Sequence, residues 1–168
     1  MKKNLFWCFA AAMLLLNGSC GFNDEVTTFV LVRHAEKADD GTDDPGLRPQ
    51  GEGRANRLAY MLKDIPFDGI YSTDFKRTRN TVAPIADVAN VEVQLYEPKK
   101  LEEIQKMYVR HHGGTVLVCG HADNIPWTAN QLTGKETYKD YADDEYGVIL
   151  IVSVIEMGKG ASVVRVNY

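Results

Sequence analysis

The sequence predicts one α/β domain, with a mainly parallel central sheet and helices on both faces. Three observations lead there. Strand-like and helix-like runs alternate along the chain after residue 26, the pattern of a helix-covered parallel sheet. The runs Thr28–Val32, Thr115–Cys119 and Val148–Val152 are continuously apolar and β-branched, as strands buried on both faces are. The chain has 168 residues and is 45% hydrophobic, enough for a single core without staples.

The N-terminus is read separately. Lys2 and Lys3 precede the apolar run Leu5–Leu16, followed by Gly18 and Ser19. A basic start, a short apolar run and small residues make a secretory signal. The run falls below the roughly 17–25 residues that span a bilayer. Cys20 follows directly, and the chain turns polar at Asn23-Asp24-Glu25. This resembles a bacterial lipoprotein cleavage site in which Cys20 becomes the lipidated first residue. It departs from that pattern at Asn17, where an aliphatic residue is usual; ordinary cleavage leaving a free Cys20 is the other reading. The expected organisation is a signal peptide over 1–19, a lipidated tether over 20–26 and one domain over 27–168. That address is exported: the cell envelope, with Cys20 anchoring the chain to a membrane.

Cys119 is then the lone cysteine of the body and reads as a small buried hydrophobe. Removing residues 1–19 leaves 17 basic against 23 acidic side chains, a net of −6. With no basic stripe, this balance excludes a nucleic-acid binder. An anionic ligand would need a local positive pocket working against the global field.

Each element follows from its residues. Asp39–Gly46 is a loop by composition, and it lacks the spacing and closing Glu of an EF-hand. Ala55, Leu58, Met61, Leu62 and Ile65 recur at helical spacing up to Pro66. Gly69–Ser72 is a short strand. Phe75, Thr78, Val82, Ile85, Ala86 and Ala89 mark a second helix, which Pro84 is expected to kink or split. Val91–Leu95 alternates as a strand. Leu101, Ile104, Met107 and Tyr108 face the core from a third helix, with His111 and His112 at its end. Adjacent histidines on a helix do not share a face, which disfavours a metal pair. Ile125–Leu132 is a fourth helix stopped at Gly134, and two strands, 148–152 and 162–166, close the chain as a hairpin around Met157–Gly160.

In open α/β sheets, ligands bind beyond the carboxyl ends of the strands. Arg33-His34 follows the first buried run, Arg77 opens the helix after the second, and Gly120-His121-Ala122-Asp123 follows the Thr115–Cys119 run. Two histidines and two arginines thus converge at one sheet edge. A helix N-terminus adds backbone N–H donors and a favourable dipole. Guanidinium forks suit phosphate oxygens, and phosphoryl transfer needs an in-line nucleophile among such donors.

These motifs resemble the histidine phosphatase superfamily, also called phosphoglycerate mutase-like. Val30-Leu-Val-Arg33-His34-Ala-Glu-Lys is similar to its signature. Leu47–Ala55 is similar to its helix-opening segment, Tyr71–Thr78 to its second arginine motif, and Val118–His121 to its second histidine motif. The resemblance spans most of the chain beyond the leader, in order. It implies His34 as a transiently phosphorylated nucleophile, with Arg33, Arg77 and His121 holding the phosphoryl group and neither metal nor cofactor required.

The general acid is left open between two carboxylates. The acid-phosphatase branch carries an Asp directly after the second His; here Ala122 stands there and Asp123 comes one later. The mutase branch carries a Glu before the third helix, for which Glu97 is the counterpart. Asp123 and Asn124 could instead cap the following helix. Glu36 and Lys37 are expected to orient the loop, and Arg48 and Arg54 to lie on a solvated face. Ala35, where mutases carry Gly, disfavours mutase chemistry. The expected activity is hydrolysis of phosphomonoesters, on a small phosphorylated molecule or a phosphoprotein. A phosphotransferase or mutase, or an inactive phosphate-ester-binding lipoprotein, are the alternatives.

Overall fold

The computed structural model describes residues 25–168; the signal peptide, Cys20 and most of the tether expected from the sequence lie outside the described residues. In chain order the elements are β1 (Thr27–Arg33), α1 (Pro49–Leu62), β2 (Gly69–Ser72), α2 (Lys76–Ala89), β3 (Val93–Leu95), α3 (Leu101–Arg110), β4 (Thr115–Gly120), α4 (Asn124–Thr133), β5 (Val148–Glu156) and β6 (Gly160–Asn167).

The sheet runs β3-β2-β4-β1-β5-β6. The first four strands are mutually parallel, and β5 is antiparallel to β1 and forms the expected hairpin with β6. Successive residues of the central strands feed two cores, because strand side chains alternate faces. Phe29, Leu31, Val116 and Val118 pack with Ile104, Met107, Ile125 and Leu132 of α3 and α4. Val30, Val32, Leu117 and Cys119 pack with Leu58, Val82 and Ile85 of α1 and α2. The sheet is therefore buried on both sides, and Cys119 is a buried free thiol whose pKa burial pushes up.

This topology positions the functional edge. The chain moves from β1 outward to β2 and β3, then returns through α3 to insert β4 between β2 and β1. The carboxyl ends of β1 and β4 are thereby neighbours. Arg33 pairs with Gly120 in the parallel register, and the His34 backbone N–H donates to the Gly120 carbonyl at 2.8 Å.

Several boundaries differ from the expectation. α1 ends at Leu62, short of Pro66, and Met61 is 43% exposed while Ala59 takes the buried place. The buried stripe follows 55, 58, 59 and 62, so Met61 falls just outside it. Leu101, at the open end of α3, is likewise exposed. β3 is only Val93–Leu95. Pro84 does not split α2, which is continuous over Lys76–Ala89. The carbonyl that loses its partner belongs to Asn80, an exposed residue, while Val82, Ile85 and Ala86 anchor the helix to the core on either side of Pro84.

Candidate active site

His34 leaves β1 with its ring buried and its Nδ1 at 2.7 Å from the Ala35 carbonyl. A carbonyl only accepts, so Nδ1 carries the proton and Nε2 keeps its lone pair. Burial is the largest influence on this ring. It drives the pKa down to about 4, opposed by the Ala35 bond and reinforced by His121, Arg77 and Arg33. The ring is neutral at pH 7, as a nucleophilic nitrogen must be.

The backbone around it is tied to α2. The Ala35 N–H donates to Thr81 Oγ1 at 2.9 Å, and Thr81 donates to the Arg77 carbonyl at 2.7 Å. Asp44, from the acidic loop, accepts from the Lys76 N–H at 2.9 Å and so caps α2 from a distance. One turn of α2 is thus fixed against the β1 end, carrying Arg77 to the site.

Glu36 and Arg54 hold the other side. Glu36 is 2% exposed and takes three contacts of 2.6–3.1 Å from Arg54. Arg54 also donates to the Tyr168 carbonyl at 2.9 Å. Arg54 is therefore not on a solvated face, contrary to expectation: Gly51 lets α1 settle onto the Glu36 backbone, where a β-carbon would collide with the Glu36 carbonyl, and this brings Arg54 over the carboxylate. Arg48 is exposed as expected.

His121 follows β4. Its Nε2 lies 2.9 Å from Thr73 Oγ1, and its backbone N–H donates to Asn124 Oδ1. Asn124 is buried and also donates to the Tyr96 hydroxyl at 3.2 Å. The side chain at 124 thus braces the turn that carries His121. Burial first, then Arg77 and Arg33, bring His121 down to about 4 against the pull of Asp123. Its ring meets Phe75 edge-on at 5.0 Å.

The arginines complete a pocket of about 530 Å³ lined by Arg33, His34, Lys37, Arg77, His121, Ala122, Asp123, Asp143 and Tyr146. Arg33 Nη1 donates to the carbonyls of Ala142 (2.6 Å) and Glu145 (2.8 Å), and Nη2 to that of Asp143 (3.1 Å). The Tyr146 ring stacks on the same guanidinium at 4.3 Å. Arg77 lies 4.3 Å over the Phe75 ring and 3.8 Å from Asp44. The Nε atoms of both Arg33 and Arg77 are buried with no hydrogen-bond partner among the described residues. A buried donor left unpaired costs about 1–3 kcal/mol, and both guanidiniums line the pocket, where their forks suit an anion.

Residues 29–106 match the histidine phosphatase superfamily (branch 1). Over that stretch, a little under half of the chain, the sequence is similar to that superfamily. No curated protein matched the sequence. Solved structures that share the histidine phosphatase fold include protein histidine phosphatase SixA complexed with tungstate, 16% identical, with a TM-score of 0.70 over 83% of this chain and 96% of that one. Another is phosphoserine phosphatase from Entamoeba histolytica in complex with phosphoserine, 18% identical, TM-score 0.65, covering 82% and 94%. A third is phosphoglycerate mutase from Bacillus anthracis, 15% identical, TM-score 0.63, covering 86% and 94%. At these identities the likeness is one of fold.

Within this histidine phosphatase fold the two candidate acids part company. Asp123 lines the pocket and pairs with Lys99 at 2.7 Å. Burial would raise its pKa, but Lys99 holds it below the ordinary value, so it is a carboxylate at neutral pH. Glu97 is exposed, pairs with Lys100 and does not line the pocket. Asp123 takes the N-cap position of α4 but makes no capping bond with its side chain. His111 accepts or donates with Tyr71 at 2.9 Å, away from the site. Trp127 packs with the core on the α4 side rather than lining the pocket.

The sequence reading missed the 142–146 wall, whose contribution is three backbone carbonyls and one aromatic ring. It also missed Thr73 and Thr81 as braces.

Proposed function

We propose that the protein is a metal-independent phosphatase that hydrolyses phosphomonoesters through a phosphohistidine on His34. The observation that carries this reading is the neutral His34, its Nδ1 bonded to the Ala35 carbonyl and its Nε2 left as the nucleophile, in a pocket that Arg33, Arg77 and His121 line with it. In the first step His34 Nε2 forms a bond to phosphorus while the P–O bond breaks, its electron pair going to the leaving oxygen. Arg33, Arg77 and His121 hold the phosphoryl oxygens, the positioning and charge stabilisation that phosphoryl transfer relies on. In the second step water attacks phosphorus and the P–N bond breaks, returning neutral His34 and inorganic phosphate. Asp123, ionised beside Lys99, accepts the proton of that water.

The leaving oxygen takes the proton that enters with a monoanionic substrate. Glu97 is discarded as the acid because it stands outside the pocket. With Asp123 ionised, the site favours leaving groups that need little protonation. This observation supports a second reading of the substrate, a phosphorylated histidine side chain of a protein. It fits the activity named for SixA, one of the fold's neighbours.

The experiment is a rapid acid or alkali quench after mixing the protein with a radiolabelled phosphomonoester. Label that survives alkali, is lost in acid and sits on the peptide holding His34 is the expected result. Turnover with no label on His34, in a variant slowed at Asp123, would sink the phosphohistidine route.

For the address, we propose export and lipidation at Cys20, from the basic start, apolar run and Cys20 of residues 1–20. Fatty-acid labelling in a bacterial host is expected to mark the full chain but not Cys20→Ala; equal labelling would overturn the anchor.

A further inference from the structure

We propose that Thr73, backed by Thr78, fixes the tautomer of His121 and thereby makes phosphate binding take up a proton. The proposal rests on the phosphatase reading for its ligand but not for its geometry. Three hydroxyl contacts settle the direction of the chain of hydrogen bonds. Thr78 Oγ1 lies 2.9 Å from both the Thr73 and Phe75 carbonyl oxygens, which only accept, so its single proton is committed there. Thr78 Oγ1 must then accept from Thr73 Oγ1, 3.1 Å away. That uses the one Thr73 proton, so Thr73 meets His121 Nε2 as an acceptor at 2.9 Å. His121 therefore carries its proton on Nε2. Both threonines are fully buried, which keeps water from breaking the relay.

The consequence falls on Nδ1, the nitrogen left for the pocket. In the neutral ring it is a bare lone pair, which repels phosphoryl oxygens unless a proton lies between them. That proton comes either on the phosphate monoanion or by protonation of His121. In both cases the bound state holds one proton more than the empty site plus a dianion. The charged and titratable groups sharing the pocket with His121 are Arg33, His34 and Lys37 from the end of β1 and the turn after it, Arg77 from α2, Asp143 and Tyr146 from the 142–146 loop, and Asp123 with Lys99 behind it. Of these, Asp123, Asp143 and the unprotonated Nε2 of His34 offer rival proton sites, so each needs its own control.

Thr73 is thus a positioning residue. Two readings on the full chain test it. Nitrogen-15 spectra of the unliganded protein are expected to show His121 as the Nε2–H tautomer in wild type and Thr73→Ser. Thr78→Val should show the Nδ1–H tautomer, since the freed Thr73 proton then turns to Nε2. Calorimetric titration with inorganic phosphate at about pH 8, in buffers of different ionisation enthalpy, should give uptake of roughly one proton per phosphate in wild type, Thr73→Ser, Asp123→Asn, Asp143→Asn and His34→Gln. Thr73→Val and Thr78→Val should take up close to none, because a neutral ring can then present Nδ1–H. An Nδ1–H ring in wild type, full uptake in Thr73→Val, or loss of uptake in Asp123→Asn, Asp143→Asn or His34→Gln would each overturn the proposal. Failure of wild type to bind phosphate while the ring is Nε2–H would overturn the proton linkage together with the phosphatase reading; the other failures touch this inference alone.

Discussion

His34 and His121 stand edge to face, their ring centroids 5.4 Å apart and their planes at 66°. Each sits one residue past the end of a buried parallel strand, and the two strands are neighbours. The contact follows from inserting β4 beside β1. It places two imidazoles and two guanidiniums in one pocket, where each ring is kept neutral by burial and by its neighbours' charge.

The first prediction concerns stability. Burial and the neighbouring charges hold both rings down to about 4 in the folded protein, against about 6.5 for an ordinary histidine. Between those values the unfolded chain binds more protons, so stability rises with pH across that window. The contribution is fully present above 6.5 and is lost as pH falls toward 4. Urea midpoints measured through the window should climb with pH in wild type and climb less in His34→Gln. Equal slopes in the two proteins would contradict the assignment.

A second prediction concerns rate. kcat/KM reports ionisations of the free enzyme and free substrate. Its acid limb is expected near 4, where His34 protonates, and its alkaline limb near the second ionisation of the ester, about 6 for an alkyl phosphate. An acid limb at an ordinary histidine value would show that His34 is not the group titrating.

Arg33 does two things with one guanidinium, clasping the carbonyls of 142–145 and lining the pocket. Lysine keeps the charge but cannot make both sets of contacts. Arg33→Lys should therefore lower kcat/KM about a hundredfold or more, the scale of losing a preorganised donor. It should also speed proteolytic cleavage near Asp143. Wild-type cleavage rates in the variant would remove the clasp from this account.

Arg54 covers the buried Glu36 carboxylate. Arg54→Met leaves that charge uncompensated and should cost about 3 kcal/mol in denaturant unfolding. Glu36→Gln in the same chain should recover much of the loss. A single variant as stable as wild type would mean that the pair contributes little.

The site was legible in the sequence where chemistry follows a buried run directly. Arg33, His34 and His121 each stand within one residue of a strand end, and Arg77 in the first turn of the next helix. Residues that act through backbone or through a common hydroxyl left no such mark. The carbonyls of Ala142, Asp143 and Glu145 could come from any side chains, and Thr73 just past a strand and Thr78 and Thr81 within a helix are unremarkable by residue type. Arg54 looked solvated because the charge it covers lies 18 residues earlier in the chain. Glu97 looked plausible because sequence order cannot show that the turn after β3 points it outward, toward Lys100. The helix cores were read one residue too wide at Met61 and Leu101, where apolar spacing alone does not distinguish the edge of a buried stripe from its centre.

The most direct test of the central claim is turnover of p-nitrophenyl phosphate by the full chain in excess EDTA, wild type beside His34→Ala, with both proteins shown to be folded. The account predicts metal-independent hydrolysis in wild type and its loss in the variant. Hydrolysis that persists in His34→Ala, or that EDTA abolishes in wild type, would contradict it.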